Sequence, residues 1–244
     1  MNKYISTSLL PILSIILLFT SCIGDQGNVV ESYDIGSVIE YKGQPVIKTD
    51  NIGIYITGAG ITVPTDKTIK RCLSTFTIDW DAQSEEAYAN RVYSANIAIQ
   101  ENWTASNYEE IANKPFAGSD SLNSISEPYL SVLGDTTMIT FETSFDKSEN
   151  STTQFVVESI DKVAKVLIID YIYYTGDAPT VTTTESKWQS YILPKVDDTY
   201  SLVLRFKNKS ALSFDTETYE SPDGDKNKNC YLYTLSYKST DMDK

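Results

Sequence analysis

Apolar residues in this chain recur at every second position. In Arg71–Trp80, "RCLSTFTIDW", Cys72, Phe76, Ile78 and Trp80 share one face, and Thr75, Thr77 and Asp79 share the other. Tyr93, Ala95, Ile97, Ile99 and Trp103 share a parity in "RVYSANIAIQENW". Ile139, Phe141 and Phe145 do so in "MITFETSF", as do Leu202, Leu204 and Phe206 in "YSLVLRFKN". A period of two is the side-chain alternation of a half-buried strand. "AKVLIIDYIYYTGD" is apolar on both faces around Leu167 to Ile169, as a central strand requires. Valine, isoleucine, threonine and tyrosine, the residues that strands favour, are abundant. Sustained helical periodicity is missing. One or two helical turns are expected at Ser84 to Asn90, with Ser84 as N-cap and Glu85 and Glu86 in the first turn. The chain therefore reads as all-β.

The alternation breaks at "NKPFAGSDSLNSISEP", Asn113 to Pro128, which is rich in serine, asparagine, glycine and proline. Residues 113–127 are expected to be a linker. Residues 33–112 hold about five strands and suit a small OB-like β-barrel; residues 128–240 hold more and suit a β-sandwich.

Ahead of both lies "MNKYISTSLLPILSIILLFTSC". Lys3 precedes an apolar stretch too short for a membrane span, which takes roughly 20 apolar residues. A charged start, a short apolar middle and a small-residue exit make a secretory signal peptide over residues 1–21. Phe19, Thr20 and Ser21 before Cys22 resemble the bacterial lipobox. Small side chains let a peptidase grip extended backbone, and a thiol can be alkylated by a lipid donor. Cys22 is thus the expected lipidation site, and residues 22–32 a tether. Two or three acyl chains, at about 0.8 kcal/mol per buried methylene, give lasting attachment to a bilayer. An outer-membrane lipoprotein is expected, on its periplasmic or its cell-surface face.

The formal net charge of −13 disfavours nucleic acid and anionic headgroups as partners. The absence of histidine removes Ser-His-Asp and Cys-His catalysis and every histidine-bearing zinc site. No glycine-rich phosphate loop or GxSxG elbow occurs. No catalytic residue, metal site or cofactor is assigned, and an enzyme is not expected. Cys72 and Cys230 are able to pair in an oxidising compartment, but each sits in a strand-like apolar run, where single cysteines serve as small hydrophobes.

Four weaker patterns point to further chemistries. Asp79, Asp81, Glu85 and Glu86 form the best acidic cluster for glycoside hydrolysis, yet read more simply as a strand end entering a turn. Asp223, Asp225, Asn227 and Asn229 are spaced like the start of an EF-type calcium loop. Lys228 and Thr234 stand where that loop needs glycine and glutamate, so Asp-Gly there reads as a hairpin turn. Tyr171, Tyr173 and Tyr174 offer rings that could stack on a sugar, although adjacent strand residues face opposite ways. Asp120-Ser121-Leu122 and Asp135-Thr136-Thr137 resemble bacterial O-glycosylation tripeptides.

Lipobox, tether, small barrel and sandwich together resemble the layout of the NigD-like lipoproteins. "DKTIKRCLSTFTI" is similar to that family's strand in which an arginine, here Arg71, precedes alternating apolar residues; the family's turn glycine is absent. "RVYSANIAI" resembles the following strand, and "EPYLSVLGDTTMITF" the opening of the second domain. The family's usual histidines are missing. The resemblance implies fold and location but no activity. The expected role is non-catalytic binding or structure in the cell envelope, with a glycan or protein partner unknown. The alternatives are a fimbrial or adhesin-like subunit and a glycan-binding surface lipoprotein.

Overall fold

The alternating segments form strands in a computed structural model, which describes residues 27–110, 116, 119–176, 180, 183–219 and 230–238. The first set comprises β1 (Val29–Tyr41), β2 (Gln44–Thr49), β3 (Tyr55–Thr57), β4 (Lys70–Asp79), β5 (Val92–Ser94) and β6 (Asn96–Thr104), with one short helix, α1 (Glu85–Asn90), between β4 and β5. These strands make one sheet in the order β5-β3-β2-β1-β4-β6. Its inner face buries Val38, Ile47, Ile56, Cys72, Phe76, Ile78 and Tyr93. The expected parity of Cys72, Phe76 and Ile78 is the observed one, because Thr75 and Thr77 remain half-exposed on the other side. β1 begins at Val29, within the stretch read as tether.

Gly36 lets the long β1 pair on both edges at once, opposite Thr49 and Cys72. A Cβ there would lie 2.5 Å from Ile47 Cγ2 and 2.6 Å from the Lys48 carbonyl oxygen. α1 forms where its capping signal stands: Ser84 Oγ accepts the Ala87 N–H at 3.1 Å, and Arg91 ends the helix in a left-handed conformation.

Two further sheets follow. One contains β7 (Ser106–Asn107), β8 (Ser124–Ile125), β9 (Tyr129–Leu133), β10 (Thr136–Lys147) and β13 (Thr183–Ile192), in the order β7-β13-β10-β8 with β9 also on β10. The other contains β11 (Thr152–Asp161), β12 (Val166–Tyr174), β14 (Thr199–Lys207), β15 (Glu217–Tyr219) and β16 (Cys230–Lys238), in the order β11-β12-β14-β16-β15. β12 lies between two partners, as its two apolar faces predict; it is antiparallel to β11 and parallel to β14. Both sheets feed one core. Ile139, Phe141, Phe145 and Tyr191 come from the first, and Phe155, Leu167, Tyr171, Leu202, Phe206 and Tyr237 from the second. The molecule is all-β. Its strand paths are open, and no path closes into a barrel among the described residues.

The serine-rich stretch carries buried side chains. Leu122 and Ile125 pack into the core, and the Leu122 N–H donates to the Lys207 carbonyl at 2.9 Å. Phe116 covers the outer face of β12 together with Val156, Ile172, Tyr174 and Cys230.

Candidate functional site

The structure places the residues singled out from sequence as follows. Cys22 and residues 223–229 lie outside the described residues. The acidic cluster builds a turn: Asp79 Oδ1 accepts the N–H groups of Asp81 and Ala82, at 3.1 and 3.3 Å, and Asp81 Oδ2 accepts that of Asn28 at 3.1 Å. The aromatic cluster is interior. Tyr171, Tyr173 and Tyr174 are all buried, so none offers a ring face to a sugar. Tyr171 accepts a hydrogen bond from Gln189 at 2.7 Å, and the Tyr173 hydroxyl donates to the Asp146 carbonyl. Burial pushes the Tyr173 hydroxyl up to about 12.

No disulfide joins Cys72 and Cys230; they lie in separate buried clusters. Burial pushes the Cys72 thiol up to about 11, although Arg71 and Lys70 pull it down. Asp120 accepts the N–H and hydroxyl of Thr175, at 2.8 and 2.6 Å, which ties the first tripeptide to the end of β12. Asp135 pairs with Lys195 at 2.6 Å in the hairpin between β9 and β10.

The structure assembles a different set of residues at the seam between the first sheet and the sheet built on β10. Arg71, on β4, is fully buried. Its Nη1 donates to Ser37 Oγ at 2.7 Å and to Asp50 Oδ1 at 3.0 Å, and its Nη2 donates to Asp50 Oδ2. The Tyr129 hydroxyl, from β9, donates to the same Oδ2 at 3.2 Å. Burial and the Asp50 charge raise that hydroxyl far above its ordinary value. The turn after β2 positions Asp50. Thr49 Oγ1 accepts the Ile54 N–H, Gly53 adopts a positive φ of 69°, and Asp34 accepts the N–H groups of Asn51 and Ile52. Burial raises the Asp34 carboxyl above its ordinary value, against the lowering effect of those bonds. Further along the seam, Trp103 Nε1 donates to Ser190 Oγ at 3.0 Å. Its ring stacks on Trp188 with centroids 6.3 Å apart, and the Trp188 N–H donates to Glu101 at 3.2 Å.

Beside Trp103 opens a groove of about 560 Å³, lined by Thr62–Asp66, Thr68, Lys70 and Asn102–Thr104. Asp66 accepts both the N–H and the hydroxyl of Thr68, which lowers its carboxyl below the ordinary value. A lone fixed carboxylate and one lysine in an open groove supply no general acid–base pair. Sequence reading missed both the seam and the groove. The one available signal was Arg71, a charged residue beside Cys72 in an otherwise alternating strand.

No protein-family model matches the chain, and no curated protein matches it. Solved structures of similar fold do. One is a protein from Bacteroides fragilis described as a lipoprotein, 14% identical, with a TM-score of 0.54 over 87% of this chain and 100% of that one. Another is a DUF1344 protein of unknown function from Bacteroides vulgatus, 14% identical, with a TM-score of 0.53 over 86% of this chain and 92% of that one. A NigD-like immunity protein from Bacteroides caccae is 9% identical, with a TM-score of 0.50 over 86% and 96%. At such identities the likeness concerns the fold: this chain has the fold of the NigD-like and DUF1344 proteins.

Proposed function

We propose that this chain is a lipid-anchored, non-catalytic protein of the outer membrane that serves in binding or structure. The observation that carries the reading is the position of Cys22. It follows a signal-like segment and stands only seven positions before β1 begins at Val29. A lipid on Cys22 would hold the first sheet close to the bilayer surface. The likeness to a Bacteroides fragilis protein described as a lipoprotein, along that protein's whole length, supports it. The non-catalytic part is supported by the acidic cluster, whose two aspartates accept turn N–H groups.

The finer architecture belongs to the same reading. β5 and β6 are successive parts of one extended run, interrupted at Ala95, whose N–H donates to the Thr57 carbonyl at 2.9 Å. That run touches β3 through β5 and β4 through β6, which supports an OB-like unit over about 33–112 despite its open strand path. The shared core of the other two sheets supports a sandwich over about 128–240, with 113–127 as the connection.

Mass spectrometry of the native protein tests the anchor. The expected result is a mature chain starting at an acylated Cys22, which loses detergent-phase partitioning in the Cys22→Ser variant. An unmodified amino terminus overturns the proposal.

A further inference from the structure

Two carboxylates meet at the seam from opposite halves of the molecule. Thr140 Oγ1 and Ser190 Oγ lie 2.9 Å apart, and Ser190 accepts the Trp103 indole bond, so this side of β10 and β13 faces the first sheet. Glu142 follows two residues after Thr140 and turns the same way, while Phe141 between them faces the core. The Glu142 N–H donates to Ser126 Oγ at 2.8 Å and its carbonyl accepts the Ser126 N–H at 2.9 Å, so both groups point away from β13. Glu142 and Trp188 are therefore a non-bonded ladder pair, the kind whose side chains lie closer. The Trp188 N–H points the other way, beyond β13, and meets the Glu101 carboxylate of β6 at 3.2 Å. Trp188 thus stands between Glu101 and Glu142.

The two carboxylates are held differently. Glu101 accepts the Trp188 N–H, whereas the half-buried Glu142 carboxyl has no hydrogen-bond partner among the described residues. No cation among those residues offsets it. Arg71, from β4, is bonded to Asp50, which also holds the Tyr129 hydroxyl of β9. Lys48, from β2, bonds the Val132 carbonyl. Glu127, beside Ser126, accepts the Tyr233 hydroxyl at 2.9 Å, and Asp146, further along β10, is held by Lys209. On β13, Glu185 and Lys187 have the parity opposite to Trp188 and Ser190. Burial raises the Glu142 carboxyl above its ordinary 4.5, and the Glu101 charge raises it further.

We infer that Glu101 and Glu142 make the seam a pH-dependent joint, closed most firmly in acid and loosened as Glu142 ionises beside Glu101. Opening wets both carboxylates and relieves their repulsion, so loss of the proton favours the open seam. The contribution is complete below about 4.5 and is lost as pH rises through the higher value that Glu142 has in the closed seam. The inference does not depend on lipidation of Cys22, and its test does not measure the anchor.

The full-length chain is followed by side-chain carboxyl NMR and by hydrogen exchange at the Trp103 indole N–H, which bonds Ser190 across the seam. Glu142 is expected to titrate above 4.5. Glu101→Gln keeps an acceptor for the Trp188 N–H but removes the charge, and is expected to lower the Glu142 value. Corrected for the intrinsic pH dependence of exchange, indole exchange is expected to rise with pH, by about tenfold for each unit that separates the closed-seam and open-seam values of Glu142. Glu142→Gln is expected to abolish that rise. If it fails to fold, Glu101→Gln decides, with a smaller rise expected. A Glu142 that titrates at or below 4.5 overturns the inference. So does a Glu142 value unmoved in Glu101→Gln, an indole exchange that does not rise with pH, or a rise that persists unchanged in Glu142→Gln.

Discussion

Asp50 accepts from three donors on two side chains, and one of its partners, Arg71, has no exposed surface. Removing one member of a buried ion pair strands the other charge, at a cost of about 3–5 kcal/mol. Asp50→Ala is therefore expected to lower unfolding free energy by that amount in urea denaturation. Tyr129→Phe loses a single hydroxyl bond and is expected to cost nearer 1 kcal/mol. Equal losses for the two variants would mean that the ion pair contributes nothing special. Asp146 tests electrostatics of the opposite kind. Its carboxyl is held below the ordinary 3.8 by Lys209 first and Asn123 second, both of which bond it within 2.7 Å. A lowered carboxylate stabilises the fold fully above its unfolded value, and that contribution is lost as pH falls through the lower folded value. As pH falls below about 4 the native protein should thus lose stability faster than Asp146→Asn, and melting temperatures over that acid range read the difference. Asp34 and Glu142 pull the other way. Burial raises both, so their contributions are largest in acid and fall as pH rises through their folded values.

At the scale of the element, β1 depends on the missing side chain of Gly36. A methyl group there meets Ile47 and the backbone of Lys48, which can yield only if β1 and β2 separate. Gly36→Ala is expected to cost about 1–3 kcal/mol as an overpacking change, measured by denaturant midpoint. A neutral result would show that the pair has room to shift. The long strands were legible because each buries one face, and alternation in composition follows alternation in burial. β7, β8 and β15 were not, since two or three residues carry no period. The serine-rich stretch reads as a linker by composition, yet Leu122 and Ile125 reach the core and Phe116 covers the outer face of β12. The seam was hidden for a different reason. Alternation assigns Arg71 to the solvent face with Thr75 and Thr77, but a second sheet covers that end of β4. Its partners lie 21 residues away at Asp50 and, through Asp50, 79 residues further on at Tyr129. No local pattern encodes a partner at that distance.

At the scale of the whole molecule, the seam decides whether the two halves unfold as one. The described contacts across it are diverse: the Tyr129 bond to Asp50, the Lys48 bond to the Val132 carbonyl at 2.6 Å, the Trp103 bond to Ser190, the Trp188 N–H bond to Glu101 and the Trp103–Trp188 stack. The chain itself adds to them, because β6 passes directly into β7, which pairs with β13. Each half also has its own apolar core, so either is able to persist briefly without the other. Cooperativity then rests on the free energy of the seam relative to the stability of the weaker half. The native chain is expected to melt in a single calorimetric transition whose calorimetric and van't Hoff enthalpies agree. Trp103→Ala removes both the indole bond and the ring stack at once while leaving the Arg71–Asp50 pair intact. It is expected to split the melt into two transitions, the earlier one accompanied by rapid exchange of amides in β4 and β6. Adding Tyr129→Phe should widen the gap, because it removes one more of the bonds left across the seam without touching either core. A single, uniformly shifted transition in both variants would place the coupling in the continuous β6–β7 backbone and not in these side chains.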